Sequence, residues 1–326
     1  MKSLKAVAIV FLGLLTFLSM TPPNFGSQIV VIVDTDKPTY SYRELVQVFS
    51  DIYYESQPVS GGLVAIQVDD ANNTIMVRTA TTTSNLSNFE IEIISVIPCD
   101  QYGRPKNNFN KNSNAYFNIT IKNNLPFSRN ILLTVTAYDM DSTPLGIATL
   151  ETAIAGKSVL GFIPCILLPE WSSTGNATAY VSILTDWPKN QGYPYCPEKS
   201  AKFIIDRAYS SSSQTIYQLN HNSTYSVTFR LPPHNPPYNC TYLISAGAFY
   251  QGYKGFDNTT FTVEYQVVGD FNSDHKIDIY DVVPVAFAYN SEPRNPRWNP
   301  IFDVAPSGKI DIYDIVKVAI QYGTTY

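Results

Sequence analysis

Along most of this chain apolar residues fall at every second position, the period of a strand with one face buried; a helix would repeat every three to four. Phe117-Asn118-Ile119-Thr120-Ile121 is a clear instance, with the aromatic and aliphatic side chains on one face and Asn118 and Thr120 on the other. Similar runs are expected as strands at Gln28 to Val33, at Leu63, Val64, Ile66 and Val68, and at Ile75 to Arg78. A denser series follows at Phe89 to Val96, Tyr116 to Ile121, Ile131 to Tyr138, Leu145 to Ala153, Ser158 to Leu168, Ala177 to Thr185 and Ala201 to Ile205. The last runs are Gln214 to Leu219, Tyr225 to Leu231, Tyr242 to Tyr250 and Thr260 to Val268. The fold class this predicts is mainly β.

Seven short strands within 86–206 match an immunoglobulin-like sandwich in number and spacing. Residues 27–85 and 207–267 are each too few for a standard sandwich of about 100 residues, but together they suffice. The expectation is therefore one sandwich built from both pieces with 86–206 inserted between them; the alternative is a series of small separate units.

The pattern changes over the last fifty-odd residues. Lys276-Ile277-Asp278-Ile279-Tyr280-Asp281-Val282-Val283-Pro284-Val285-Ala286 recurs thirty-three positions later, from Lys309 to Ala319, with nine of eleven residues identical. Read from Asp270, the first copy places side-chain oxygens at loop positions 1, 3, 5, 9 and 12: Asp270, Asn272, Asp274, Asp278 and Asp281. Lys276 at position 7 offers its backbone carbonyl. That is the EF-hand calcium spacing, and four crowded carboxylates need a cation to offset their repulsion. The second copy is thinner. Asp303, Asp311 and Asp314 hold positions 1, 9 and 12, Ser307 position 5 and Lys309 position 7, but position 3 is Ala305. Loop 2 should bind Ca2+ less tightly than loop 1. Only an exiting helix is expected beside each loop, since Thr260 to Val268 alternates like a strand and Pro296 and Pro300 flank Trp298.

Two loop-plus-helix halves with Asp at position 12 resemble a type I dockerin, over residues 268–326. The resemblance implies a small α-helical module that docks to a cohesin-like partner through the start of its helices, here Ile279-Tyr280 and Ile312-Tyr313. Where that family often has Lys or Arg further along, this chain has Ala286-Phe287 and Ala319-Ile320, which implies a more apolar partner. Position 6 of loop 1 is His275 in place of the usual Gly. A second resemblance concerns Asp36-Lys37-Pro38-Thr39-Tyr40, followed by Glu44 and Val46, which is similar to the opening of macroglobulin-type sandwiches; Arg43 stands where that family has Gly. The thioester motif of the large macroglobulins is absent, so the implied role is scaffold.

Composition places the chain outside the cell. A basic start, Met1 to Lys5, precedes an apolar run from Ala6 to Met20, which predicts a signal peptide over 1–26. No C-terminal membrane anchor is expected. The formal net charge of -5 disfavours nucleic acid as a partner. Seven glycosylation sequons begin at Asn72, Asn85, Asn118, Asn176, Asn222, Asn239 and Asn258. Four cysteines in an exported chain suggest disulfides. Cys99 and Cys196 lie near the two ends of the inserted unit, which an insertion must bring together, so their pairing is the expectation.

No nucleophile elbow, P-loop or dinucleotide loop occurs. His221 and His234 flank a Pro-rich turn and a sequon. Asp69-Asp70 and the Asp139/Asp141 pair fit turns as well as catalysis, and the chain reads as non-catalytic. Three functions compete: calcium-dependent docking to a cohesin-like domain; a glycan-binding adhesin using Trp171, Trp187 or the Tyr193/Tyr195 pair; and an envelope or surface-layer component whose calcium module clips onto its own sandwich or a neighbouring envelope protein.

Overall fold

The computed structural model describes residues 29–41, 43–81, 89–205, 224–233, 240–264, 269–272, 274 and 276–325. The proposed signal segment, the Gln214 to Leu219 run, Asn85, Asn222, Asn239, His221, His234 and His275 lie outside the described residues.

The architecture is mainly β with a small helical part at its C-terminal end. The first strands are β1 (Ile29–Thr35), β2 (Thr39–Ser41), β3 (Leu45–Tyr54), β4 (Gln57–Pro58), β5 (Leu63–Asp69) and β6 (Thr74–Thr81). Next come β7 (Ile91–Cys99), β8 (Asn108–Phe109), β9 (Asn114–Asn123), β10 (Arg129–Tyr138), β11 (Pro144–Ile154), β12 (Val159–Phe162), β13 (Cys165–Leu167), β14 (Gly175–Leu184) and β15 (Lys199–Ile205). Three strands close the β part, β16 (Thr224–Arg230), β17 (Cys240–Tyr250) and β18 (Tyr253–Glu264), before the helices α1 (Ile279–Phe287) and α2 (Ile312–Ala319).

Strands from both sides of 89–205 share two sheets. One runs β1-β3-β16 with β4 beside β3, and the other β2-β18-β17-β5-β6. Their inward side chains, among them Val48, Ile52, Ile66, Tyr225, Phe229, Tyr242 and Phe261, form one core. The strands between build a second pair of sheets, β11-β10-β14-β15-β8 and β12-β9-β13 with β7 on β9, around Phe117, Ile119, Ile121, Val135, Val181 and Phe203. Ser158 to Leu168, expected as one strand, is two. Pro164 interrupts the run, because a residue without an N–H cannot continue the ladder. β18 starts at Tyr253, well before the expected Thr260, since Gln251 and Gly252 (φ 48° and 90°) make the two-residue turn that favours tight hairpins.

The two cores are welded across one seam. β5 is buried along its whole length because Val64, Ile66 and Val68 face the first core while Ala65, with Val77 of β6, packs on Leu132 and Leu184 of the second sandwich. Arg78 forms a buried ion pair with Glu198 (2.6 Å), which also accepts from Thr79 N–H (2.8 Å). Burial disfavours the Arg78 charge, but Glu198 outweighs it and holds the guanidinium protonated. At Gly247 a Cβ would lie 2.0 Å from the Gly192 carbonyl, so only glycine lets β17 approach this closely.

Arg43 takes a φ of 57°, the left-handed backbone that the Gly of the macroglobulin pattern would adopt readily. Its side chain is fully buried, and Nη1 donates to the Pro300 carbonyl (3.0 Å) beside the second loop.

Candidate calcium loops and docking face

Each acidic loop feeds directly into its helix. Asp278 caps α1 by accepting from Tyr280 N–H, while Asp281 reaches back to the Asp278 N–H; Asp311 and Asp314 do the same for α2. Reciprocal capping satisfies orphan N–H groups at the helix start, so position 9 and position 12 of each loop carry structural work as well as charge. The helices are short and pack on each other through Val285, Ala288 and Val318, with Ile277, Val304, Ile310, Phe271, Trp298 and Phe302 completing a small core.

The duplication has a matching geometry. Ile310 N–H donates to the Ser291 carbonyl (2.9 Å) and its carbonyl accepts from Asn290 N–H (2.7 Å), just beyond α1. Thirty-three positions earlier, Ile277 makes the same pair with Thr324 (2.9 Å) and Gly323 (2.7 Å), just beyond α2. Each loop is thus fastened to the end of the other repeat's helix.

In loop 1, Asp281 is fully buried and accepts from Phe271 N–H (2.7 Å) and Asp278 N–H (2.9 Å), with no basic side chain paired to it among the described residues. Asp270 is buried and accepts from Asp274 N–H, and Asp274 from Lys276 N–H and Asn272 Nδ2. Buried carboxylates with acceptor-only oxygens suit a hard cation, so Asp270, Asn272, Asp274, Asp278, Asp281 and the Lys276 carbonyl fit Ca2+ by donor type. The described residues contain no group of three or more His, Cys, Asp or Glu in a ready-made metal-ligand arrangement.

Loop 2 differs in charge balance. Burial raises the Asp314 carboxyl to about 6, backbone donors from Ala305 and Asp311 oppose this, and the nearby charges of Asp303 and Asp311 add to the rise. Gly308 turns the loop at φ 78° and donates to Asp303, as does Ser307 N–H. The Ser307 hydroxyl, however, donates to the Lys309 carbonyl (2.9 Å). Burial raises the Asp303 carboxyl, opposed first by the Ser307 and Gly308 N–H donors and then by the charges of Arg43 and Lys111. Ala305 offers no side-chain ligand. Loop 2 fits calcium less well than loop 1, and cations of the sandwich stand beside it.

Ile279, Tyr280, Ile312 and Tyr313 are 50, 71, 52 and 71 % exposed, respectively. Val283 and Phe287 extend the first stripe at four-residue steps, and Val316 and Ile320 extend the second at equivalent positions, all exposed. Among the described residues, none of these side chains belongs to the interhelical core.

Other candidates resolve differently. Asp139 accepts backbone N–H bonds from Asp141, Thr143 and Ser173, each 3.0 Å, and burial together with Asp141 raises its carboxyl to about 6. This is a turn anchor. Asp69 likewise binds Gln67 and Lys189. Trp171 packs on the second core and Trp187 on the inter-sandwich seam, so neither is an open platform. Asn72, Asn176 and Asn258 are exposed, and Asn118 is half-buried in the middle of β9.

Cys99 and Cys196 are not joined, contrary to the sequence expectation; both are buried free thiols, while the Cys165 thiol is exposed. Cys196 is hydrogen-bonded to the backbone of Ile93, whereas Cys99 sits at the far end of the same strand against Asn118. Six residues of strand separate them by roughly 20 Å, far beyond disulfide reach. Bringing the ends of the unit together does not bring these two positions together.

No family model matches the chain, and no curated protein matches it. Among solved structures, the C-terminal domain of wzt aligns at TM-score 0.32 and 13% identity, covering 40% of this chain and 87% of that one. A beta-glucosidase from Listeria innocua aligns at TM-score 0.26 and 12% identity over 38% of this chain and 17% of its own. Bacteroides uniformis beta-glucuronidase aligns at TM-score 0.26 and 10% identity, over 50% of this chain and 26% of its own. Likenesses this slight carry no argument about activity.

Proposed function

We propose that this chain is a secreted or cell-surface, non-catalytic protein that docks to a cohesin-like protein domain through its calcium-ordered C-terminal module. The observation that supports it is the pair of exposed apolar stripes, Ile279-Tyr280-Val283-Phe287 and Ile312-Tyr313-Val316-Ile320, repeated at a spacing of thirty-three residues on two helices. Large apolar and aromatic side chains held on rigid helices suit the centre of a protein interface. Calcium, when bound, would neutralise the crowded loop carboxylates and so fix the start of each helix. Capture of envelope proteins by the full chain, in calcium and in chelator, tests the reading; a partner retained equally in chelator contradicts it.

A second reading, the structural clip, is favoured by the contacts of Arg43 with Pro300 and of Lys111 with Ser307. These involve the second loop and its preceding turn, and leave both stripes exposed. A module fixed to its own sandwich on one side and open on the other serves docking as a rigid presentation.

A further inference from the structure

Where the two sandwiches meet, Phe89, Tyr193, Tyr195, Phe249 and Tyr250 wall a cleft of about 350 Å³, within the usual range for small-ligand sites of about 300–1,000 Å³. Its walls come from five stretches distant in sequence, and the seam holds them. Tyr193 stacks on Phe249 with ring centroids 5.0 Å apart and planes 13° from parallel, beside the Gly192–Gly247 contact that admits no side chain. The Tyr195 hydroxyl donates to the Asn130 carbonyl (3.0 Å), fixing the second ring. Such a cleft needs little ordering on binding, which is where affinity is otherwise lost.

Its polar groups are of two kinds. Glu90 and Arg129, 3.2 Å apart, set an acceptor next to a donor on one wall. That pairing suits hydroxyl groups, which donate and accept at once. Lys254 reaches over the Tyr193 ring, 4.5 Å from its centroid, and among the described residues has no carboxylate partner. With Glu90 offsetting Arg129, the cleft keeps one positive charge.

We propose that this cleft binds an acidic saccharide, the uronic acid residue of a glycan. The C–H face of the pyranose lies on the aromatic wall, its hydroxyls meet Glu90 and Arg129, and its carboxylate meets Lys254. An aromatic acid would satisfy the rings and Lys254 but bring no hydroxyls to the Glu90–Arg129 pair. This inference is independent of the docking module, which lies elsewhere on the molecule.

Saturation-transfer NMR on the full chain tests it with methyl glucuronide, methyl glucoside and benzoate as probes. The glucuronide is expected to bind saturably and about fivefold more tightly than the glucoside, the size of effect one exposed ion pair supplies. The exposed Lys254→Gln variant should erase that preference while keeping the glucoside signal, and Tyr193→Leu should weaken both sugars. Absence of saturable binding by either sugar, a preference that survives Lys254→Gln, or displacement of the glucuronide by benzoate would each overturn the proposal.

Discussion

Lys111, on the loop between β8 and β9, donates from Nζ to the carbonyl of Ser307, 2.7 Å away and 196 residues later in the chain. This bond fastens the second acidic loop to the inserted sandwich and brings a positive charge toward Asp303. The bond is exposed, so its loss should cost about 1 kcal/mol. In Lys111→Ala, hydrogen exchange across 303–314 should quicken roughly fivefold, while 276–288 in the first loop and helix stays unchanged. Equal acceleration in both repeats would show that the contact does not act locally.

The Arg78–Glu198 pair is expected to be the most costly polar contact to break. Both side chains are over nine-tenths buried, and the Arg78 guanidinium also lies over the Tyr180 ring, 3.4 Å from its centroid. Glu198→Ala strands that cation and leaves Thr79 N–H without its acceptor, at a cost of about 3–5 kcal/mol. Replacing both charges together, Arg78→Met with Glu198→Met, should cost much less. Urea unfolding measures each, and a loss under about 1 kcal/mol for Glu198→Ala would show that the seam does not depend on the pair.

Much of this architecture was legible in the alternation of apolar residues. Phe117, Ile119 and Ile121 do face one core, and Tyr225, Val227 and Phe229 face the other. The seam was not legible. Continuous burial of β5 looks the same in sequence whether the second face meets a helix, a sheet or nothing yet named, and Trp187 reads as a platform until Leu132 and Leu184 are seen beneath it. The acidic loops could be proposed from sequence because each oxygen-bearing residue has a fixed offset from Asp270 or Asp303. The cations beside loop 2 could not be, since Arg43 and Lys111 lie hundreds of residues away along the chain.

The thiols give a direct check on the cysteine geometry. Burial pushes Cys196 up to about 12 and raises Cys99 as well, so neither forms the reactive thiolate near neutral pH. Cys165 is exposed. Iodoacetamide on the native protein should label Cys165 well before Cys99 or Cys196, which react only once the protein is denatured. A Cys99–Cys196 peptide recovered under non-reducing conditions would contradict the strand geometry.

Calcium should bind the two loops unequally. Loop 1 offers four carboxylates and Asn272, whereas loop 2 has three, lacks a ligand at Ala305 and stands next to Lys111 and Arg43. Asp270→Ala should therefore reduce calcium affinity about tenfold more than Asp303→Ala. Titration calorimetry on the full chain reads both. Equal losses would mean that loop 2 is as good a site as loop 1.

The proposed docking surface is the pair of duplicated stripes on α1 and α2. The most direct measurement is partner capture by the full chain in calcium and in chelator, comparing wild type with Ile279→Ala/Tyr280→Ala, with Ile312→Ala/Tyr313→Ala, and with all four substitutions together. These side chains are exposed, so the substitutions should leave the fold intact, checked by unchanged melting. Because the stripes are equivalent, either pair alone should retain capture and the four together should abolish it, with every captured complex released by chelator. A partner that binds the fourfold variant as tightly as wild type, or no calcium-dependent partner at all, would contradict docking and leave the module as a clip on its own sandwich.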